Sequence, residues 1–225
     1  MKKQFLLYAI ALSVLAIAFA LCASFTLAIP TPSGANGTAT YMGRYTQTDS
    51  GTAVAEGGNV SLLNLSASLT THRWQGFLGS VSSNLALGNG SSVLYNFGKA
   101  RLDTVFATTN SGAYSWLTLQ AGADTDVNDL WAFDGTGGAD NATTAFNATS
   151  TVKGISVPAA KTTGGFITGL FNDGTNAGKD NIAFGAVVYN PAKPGLDGVN
   201  YEYQLMVPTN TASTETYYFY VSLAE

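Results

Sequence analysis

Charge is scarce in this 225-residue chain, where Asp, Glu, Lys and Arg together make up 11% of the residues. Cysteine occurs once, at Cys22, and histidine once, at His72. Each shortage removes a class of chemistry. With no cysteine after Cys22, the body of the chain has neither the disulfide framework of small secreted domains nor thiolate metal ligation. One imidazole is too few for a His-rich zinc site. It leaves His72 as the sole base for a Ser–His–Asp triad, and no Gly-x-Ser-x-Gly elbow supplies the nucleophile. Beside Arg73 and Trp74 at a turn, His72 reads as a surface or packing residue. Glutamate is limited to Glu56, Glu202, Glu215 and Glu225, so a two-carboxylate glycosidase would need Asp pairs that no pattern singles out. The balance of 10 Lys+Arg against 14 Asp+Glu lacks the basic footprint that replaces counterions on nucleic acid. The expectation is a chain that is not an enzyme and does not bind nucleic acid.

What the chain does have begins at its N-terminus. Phe5 to Ile29 form an apolar run behind Lys2 and Lys3, and no charge returns until Arg44. About 20 apolar residues suffice to cross a bilayer as a helix, and lysines ahead of the run hold its start in the cytoplasm. The rest is expected outside the cell. Residues 1–28 are a signal peptide or a membrane anchor. Thr26-Leu27-Ala28 is an acceptable cleavage site and Pro30 stops a helix there, whereas the length of the run suits an anchor. Cleavage is the working expectation. Cys22 follows Leu21, where a lipoprotein would need a small residue, so it reads as part of the run.

Six Asn-x-Ser/Thr sequons follow, at Asn36, Asn59, Asn64, Asn89, Asn141 and Asn147. In an exported chain they mark glycosylation sites and therefore surface. A body so poor in charge is expected to associate unless sugars or self-assembly cover it.

Past the leader, short β-branched and aromatic stretches alternate with Gly, Asn, Asp and Pro, and no amphipathic helix stands out. This pattern predicts an all-β fold, a single β-sandwich of jelly-roll or Ig-like type. Strands are expected near 40–48, 59–70, 74–87, 92–98, 102–107, 113–120, 152–157, 182–189, 200–207 and 216–223. Residues 29–40 read as an extended tether and 41–225 as one domain. Within 59–70 the alternation slips between Leu62 and Leu63, as at a β-bulge. With that bulge the large apolar residues face a core while Asn59 and Asn64 face out. In the last stretch Tyr217, Phe219, Val221 and Leu223 share one face, and Tyr218 and Tyr220 the other. Such a strand is either central in its own sheet or covered by a partner.

Two features carry candidate chemistry. Asp124, Asp126, Asn128 and Asp129 place oxygens at alternate positions, as calcium loops do. The run departs from an EF-hand, with Asp129 at the sharp-turn glycine position and Gly135 at that of the bidentate Glu. Calcium is the one cofactor considered, against an acidic loop with Asx-turns. Among Trp74, Trp116 and Trp131, Trp131 follows the acidic run and is the candidate exposed platform for a surface glycan, while Trp116 reads as core.

The segments Trp74-Gln-Gly-Phe-Leu-Gly-Ser-Val-Ser82, Val93-Leu-Tyr-Asn-Phe97, Tyr203-Gln-Leu-Met-Val-Pro208 and Tyr217-Tyr-Phe-Tyr-Val221 resemble those of exported archaeal β-rich surface proteins. The resemblance runs from about residue 70 to the end and implies a fold and a compartment rather than a reaction. Some archaeal surface filaments are threads of glycosylated sandwiches in which one subunit's N-terminal strand completes the next subunit's sheet. It implies residues 29–48 as donor, strand-like at Tyr41–Thr48, with Tyr41, Tyr45, Tyr218 and Tyr220 as assembly residues. Gln4 after Lys3 also resembles the start of mature archaeal type IV pilins, although Lys3 stands where those carry a small residue. The expected function is thus a structural subunit of an extracellular filament or surface layer. Its partner is another copy of itself, with membrane contact only through residues 5–29. The alternative is a carbohydrate-binding or adhesive surface domain, anchored or secreted.

Overall fold

The computed structural model describes residues 31–225, apart from 46–48, 50, 51, 53, 55, 58, 90, 100, 113, 134–137, 139, 176, 177, 211–213 and 225. The chain divides after Pro30, and the second unit runs from Thr31 to Glu225. The expectations for the leader and for Gln4 lie outside the described residues. No helix among those residues is long and apolar enough to cross a membrane.

In chain order the unit begins with β1 (Ser33–Ala35), β2 (Trp74–Gly79), β3 (Asn84–Asn89), β4 (Ser92–Lys99), β5 (Leu102–Thr108) and β6 (Gln120–Ala121). Two short helices follow, α1 (Asp124–Leu130) and α2 (Ala142–Ala145). Then come β7 (Ala148–Val152), β8 (Ile155–Lys161), β9 (Ile167–Asn172), β10 (Ile182–Val187), β11 (Lys193–Pro194), β12 (Asn200–Tyr201), β13 (Tyr203–Pro208) and β14 (Tyr218–Leu223). The fold is all-β in outline, built on an eight-stranded sheet in the order β1-β14-β5-β10-β9-β8-β7, with β6 also pairing β9. Every pairing in it is antiparallel.

The middle strands of this sheet are covered on both faces, which explains their nearly continuous burial. On one face Val105, Ala107, Leu170 and Phe184 pack with Trp131, Phe133 and Phe146 from the helical connection. Leu205 and Val207 of β13 close the same cluster. Strand β13 pairs with β2 as a separate ribbon. Its backbone is tied to the large sheet by Thr168, whose hydroxyl donates to the Gln204 carbonyl and accepts from the Met206 N–H. On the opposite face Phe106, Phe171, Val152, Val157 and Ala183 form a second cluster, bordered by Trp116 and Tyr220.

That second cluster depends on glycine. Gly185 faces Gly169 across the β10–β9 pair and Phe106 across the β10–β5 pair. The Phe106 and Phe171 rings meet edge to face with centroids 5.5 Å apart. A Cβ on Gly185 would stand 2.7 Å from Phe171 Cε2 and 2.8 Å from Phe106 Cε1. Absent side chains here give aromatic rings access to strand backbone.

Several expected strands take another form. The stretch 74–87 breaks into β2 and β3, and 152–157 is a hairpin. Its turn, Lys153-Gly154, has positive φ at both residues (53° and 73°), the geometry of the two-residue turns that join antiparallel strands. Lys153 is held there by donating to the Leu223 carbonyl at 2.9 Å. The stretch 113–120 is a 3-10 turn, Trp116–Thr118, followed by the short β6. Residues 41–45 and 59–70 belong to no strand, and 46–48 lie outside the described residues. Strand β9, central in the sheet, was not anticipated. Phe166-Ile-Thr-Gly-Leu-Phe-Asn172 sits between Gly164-Gly165 and Asp173-Gly174, and burial on both faces erases the alternation that marks a half-exposed strand.

Substituting Gly185→Ala should lower stability by about 1–3 kcal/mol, as overpacking of a close-packed core does. The measurement is a thermal melt of the variant against the parent. An unchanged midpoint would mean that the rings over Gly185 yield freely.

Candidate functional site

The short N-terminal strand and the last strand meet at one margin of the sheet. β14 pairs β5 on one side, and on the other it pairs β1 through Ser33↔Val221, Gly34↔Tyr220 and Ala35↔Phe219. Strand β1 falls inside the segment expected to be a bare tether. It is three residues long, Ser33 and Gly34 are exposed, and nothing lies within 4 Å of a Cβ built on Gly34. Main-chain bonds therefore supply most of what holds β1 on this edge. Tyr220 is half-buried, its ring centroid is 5.1 Å from that of Trp116 and its hydroxyl donates to the Asn110 carbonyl. Tyr218, on the same face, is 40% exposed. Tyr41 and Tyr45 are exposed, and the Tyr45 carbonyl accepts from the Thr70 hydroxyl.

Large apolar side chains stand in solvent along the segment before β2. Val60, Leu62, Leu63, Leu65 and Leu69 are all exposed, Leu63 least at 61%. The bulged strand expected over 59–70 would have turned these residues into a core. Among the described residues it has no partner strand, and these side chains stay exposed. The β3–β4 hairpin, joined to no other strand among the described residues, likewise exposes Leu85, Leu87, Val93, Leu94, Tyr95 and Phe97. Its signal was present in the sequence as two alternating strands around Asn89-Gly90. Nothing in the pattern revealed that they would stand clear of the core.

The sequons separate by burial. Asn36, Asn59, Asn64, Asn89 and Asn147 are exposed. Asn141 is 4% exposed, and its side chain accepts from the Thr144 N–H as the N-cap of α2. A glycan on that nitrogen would need to leave the interior, so Asn141 does not share the surface position of the other five.

The run expected as a calcium loop is helix α1. Asp124 and Asp126 lie in its first turn, where carboxylates complement the exposed N–H groups. Residues two apart on a helix do not face one another, so the alternate oxygens diverge. Asn128 is buried, accepting from the Ala142 N–H and donating to the Thr143 hydroxyl. Among the described residues no group of three or more His, Cys, Asp or Glu is placed to hold a metal ion. Trp131, the expected exposed platform, is 1% exposed. Its ring stands 5.9 Å from Phe184, and the Lys179 ammonium lies 5.0 Å over it. Helical spacing from Val127 carries Trp131 inward, a period of four that an acidic loop would not impose. The same ammonium pairs with the Glu215 carboxylate.

Trp116, expected in the core, is only half-buried. It lines an open cleft of about 420 Å³ with Thr31, Gly112, Tyr114, Ser115 and Leu117. The Trp116 and Tyr114 ring centroids are 4.3 Å apart. The Tyr114 hydroxyl is buried without a hydrogen-bond partner among the described residues. Burial, and then the nearby Asp173 charge, push its pKa far above the ordinary phenol range. Burial alone would raise the Asp173 carboxyl as well, but donors from Asn181 and Thr175 prevail and hold it below its usual value.

Comparison of the chain with protein-family models, with curated proteins and with solved structures found no match.

A carboxyl lowered on folding stabilises fully above its unfolded value of about 3.9, and that contribution is lost as pH falls through the folded value. Asp173→Asn should therefore give a smaller loss of stability than the parent between roughly pH 5 and pH 2, measured by denaturant melts across that range. Parallel pH profiles for the two proteins would remove Asp173 from the acid response.

Proposed function

We propose that this chain is a structural, non-enzymatic subunit of an extracellular filament or surface layer, assembling with its own copies through β-strand complementation. The observation that carries the reading is the uncovered apolar surface of residues 60–97. A monomer rarely exposes this many large apolar side chains unless something binds them, and charged residues are only 11% of the chain. The charged leader end and long apolar run support export, with membrane contact confined to residues 5–29. The exposed sequons at Asn36, Asn59, Asn64, Asn89 and Asn147 support glycosylation at the surface. The β13–β2 ribbon over the large sheet supports a sandwich in which two layers share the first core.

The β14 edge is the proposed acceptor of the exchanged strand. A three-residue strand held mainly by its backbone is replaceable by the equivalent strand of a neighbour, because strand addition draws on the same main-chain bonds. Exchange from copy to copy that does not close into a ring generates a fibre. The exchanged segment then includes β1, Ser33–Ala35, ahead of the tyrosine-bearing part of the 29–48 donor favoured by the sequence.

A second reading is favoured by the Trp116 cleft. A half-exposed indole beside an orphan phenol and small hydroxyls is a fitting seat for a neutral sugar ring, which would make this a carbohydrate-binding or adhesive surface domain.

Deleting residues 29–48 should leave a folded, soluble domain and abolish polymers, read by melting and by negative-stain microscopy of the same preparations. Polymers that persist unchanged after the deletion would eliminate the strand-exchange route.

A further inference from the structure

Two uncovered apolar surfaces lie in one chain, and neither carries charge. Across residues 57–98 the only Asp, Glu, Lys or Arg is Arg73. The first surface is one face of the β3–β4 ribbon. Leu87 is paired directly with Tyr95, and period-two alternation brings Leu85 and Phe97 to the same side. The Tyr95 and Phe97 rings are 6.3 Å apart on it, and all four side chains are exposed. A two-stranded ribbon with an open apolar face is marginal in water on its own. The second surface is the stretch 63–69. Extended, it places Leu63, Leu65 and Leu69 on one side at the repeat of a strand and Asn64, Ser66 and Ser68 on the other.

Within a single folded chain the side chains of both surfaces stand in solvent. We propose that they are the two sides of one contact between copies: the Leu63, Leu65, Leu69 stripe of one subunit packs on the Leu85, Leu87, Tyr95, Phe97 face of the next. This rests on the assembly reading above and names the surface that it uses beyond the exchanged strand. Two uncharged apolar faces associate without a desolvation penalty for ions. The sequons are compatible with it. Asn64 lies opposite the stripe, and Asn89 is at the ribbon's turn, where its side chain accepts from the Ser91 and Ser92 N–H groups. Glycans at either position would flank the contact rather than fill it. The contact joins unlike surfaces, so it propagates from copy to copy in the way a filament requires.

The scarcity of cysteine makes the contact directly testable. In the full chain carrying Cys22→Ser, L65C and L87C are placed in separate preparations, mixed in equal amounts, assembled and oxidised. Disulfides form only where Cα atoms come within about 7 Å. The expected result is a covalent dimer in the mixture well above that in either preparation alone. N64C or S66C, on the opposite side of the stripe, should give none with L87C. Melting each variant confirms that exposed substitutions leave the fold intact. Fibres that form with no L65C–L87C link, or with links from N64C as strong as from L65C, overturn this contact and leave the assembly reading standing. A double variant that links only within one chain also overturns it, because the stripe then covers its own ribbon. Absence of both fibres and links overturns the two together.

Discussion

Phe106 and Phe171 lie over the backbone of β10 at Gly185, and the rest of the sheet is arranged around that close approach. Rings packed on glycine bring β5, β9 and β10 into one aromatic layer. The opposite face of the same strands is covered by Leu205 and Val207 of β13 and by Trp131 and Phe146 from the helical connection. A sheet buried on both faces fixes its register strongly, since a one-residue slip would exchange the two clusters. Strand β14, bonded to β5, therefore presents its outer edge in a defined position, and the N-terminal segment meets that edge. The rigid layer in the middle makes the margin usable.

The outside of the molecule poses the opposite problem. A domain with few charges, with exposed leucines and tyrosines between 41 and 95 and with Phe97 exposed beside them, has an exterior only partly suited to water. Sugars at exposed sequons, a neighbouring copy, or both would resolve this, and the uncharged stretch from 74 to 98 is where a neighbour gains most. The acidic and catalytic-looking features behave differently. Asp124, Asp126 and Asn128 serve a helix and its contact with α2, and Trp131 serves the core.

How far the sequence could be read depended on whether burial was one-sided. Strands β4, β5, β10, β13 and β14 were legible because their aromatic and β-branched runs are bounded by turn residues. Strand β9 escaped because Gly169 and two-sided burial leave it neither long nor alternating. Residues 59–70 misled for the reverse reason. Their alternation is that of a half-buried strand, yet pattern reports a capacity to pair and cannot say whether the partner lies in the same chain. Trp131 lies inside because a helix of seven residues, α1, stands where the pattern suggests an acidic loop, whereas Trp116 packs on the second cluster and also lines the surface cleft. The spacing Val127–Trp131 held the signal that could have placed the indole inside. The Trp116 cleft had no sequence signature, since it joins Thr31 to residues more than eighty positions away.

On the proposed reading, the apolar exterior of this chain is covered by other copies of itself. Electron microscopy of the protein recovered from the surface of the cells that make it tests this most directly. The expected images are regular fibres or an ordered layer in which the β14 edge and the β3–β4 ribbon are both occupied by neighbouring subunits. Dispersed single particles with both surfaces open would contradict it, and would turn attention to saccharide binding at Trp116.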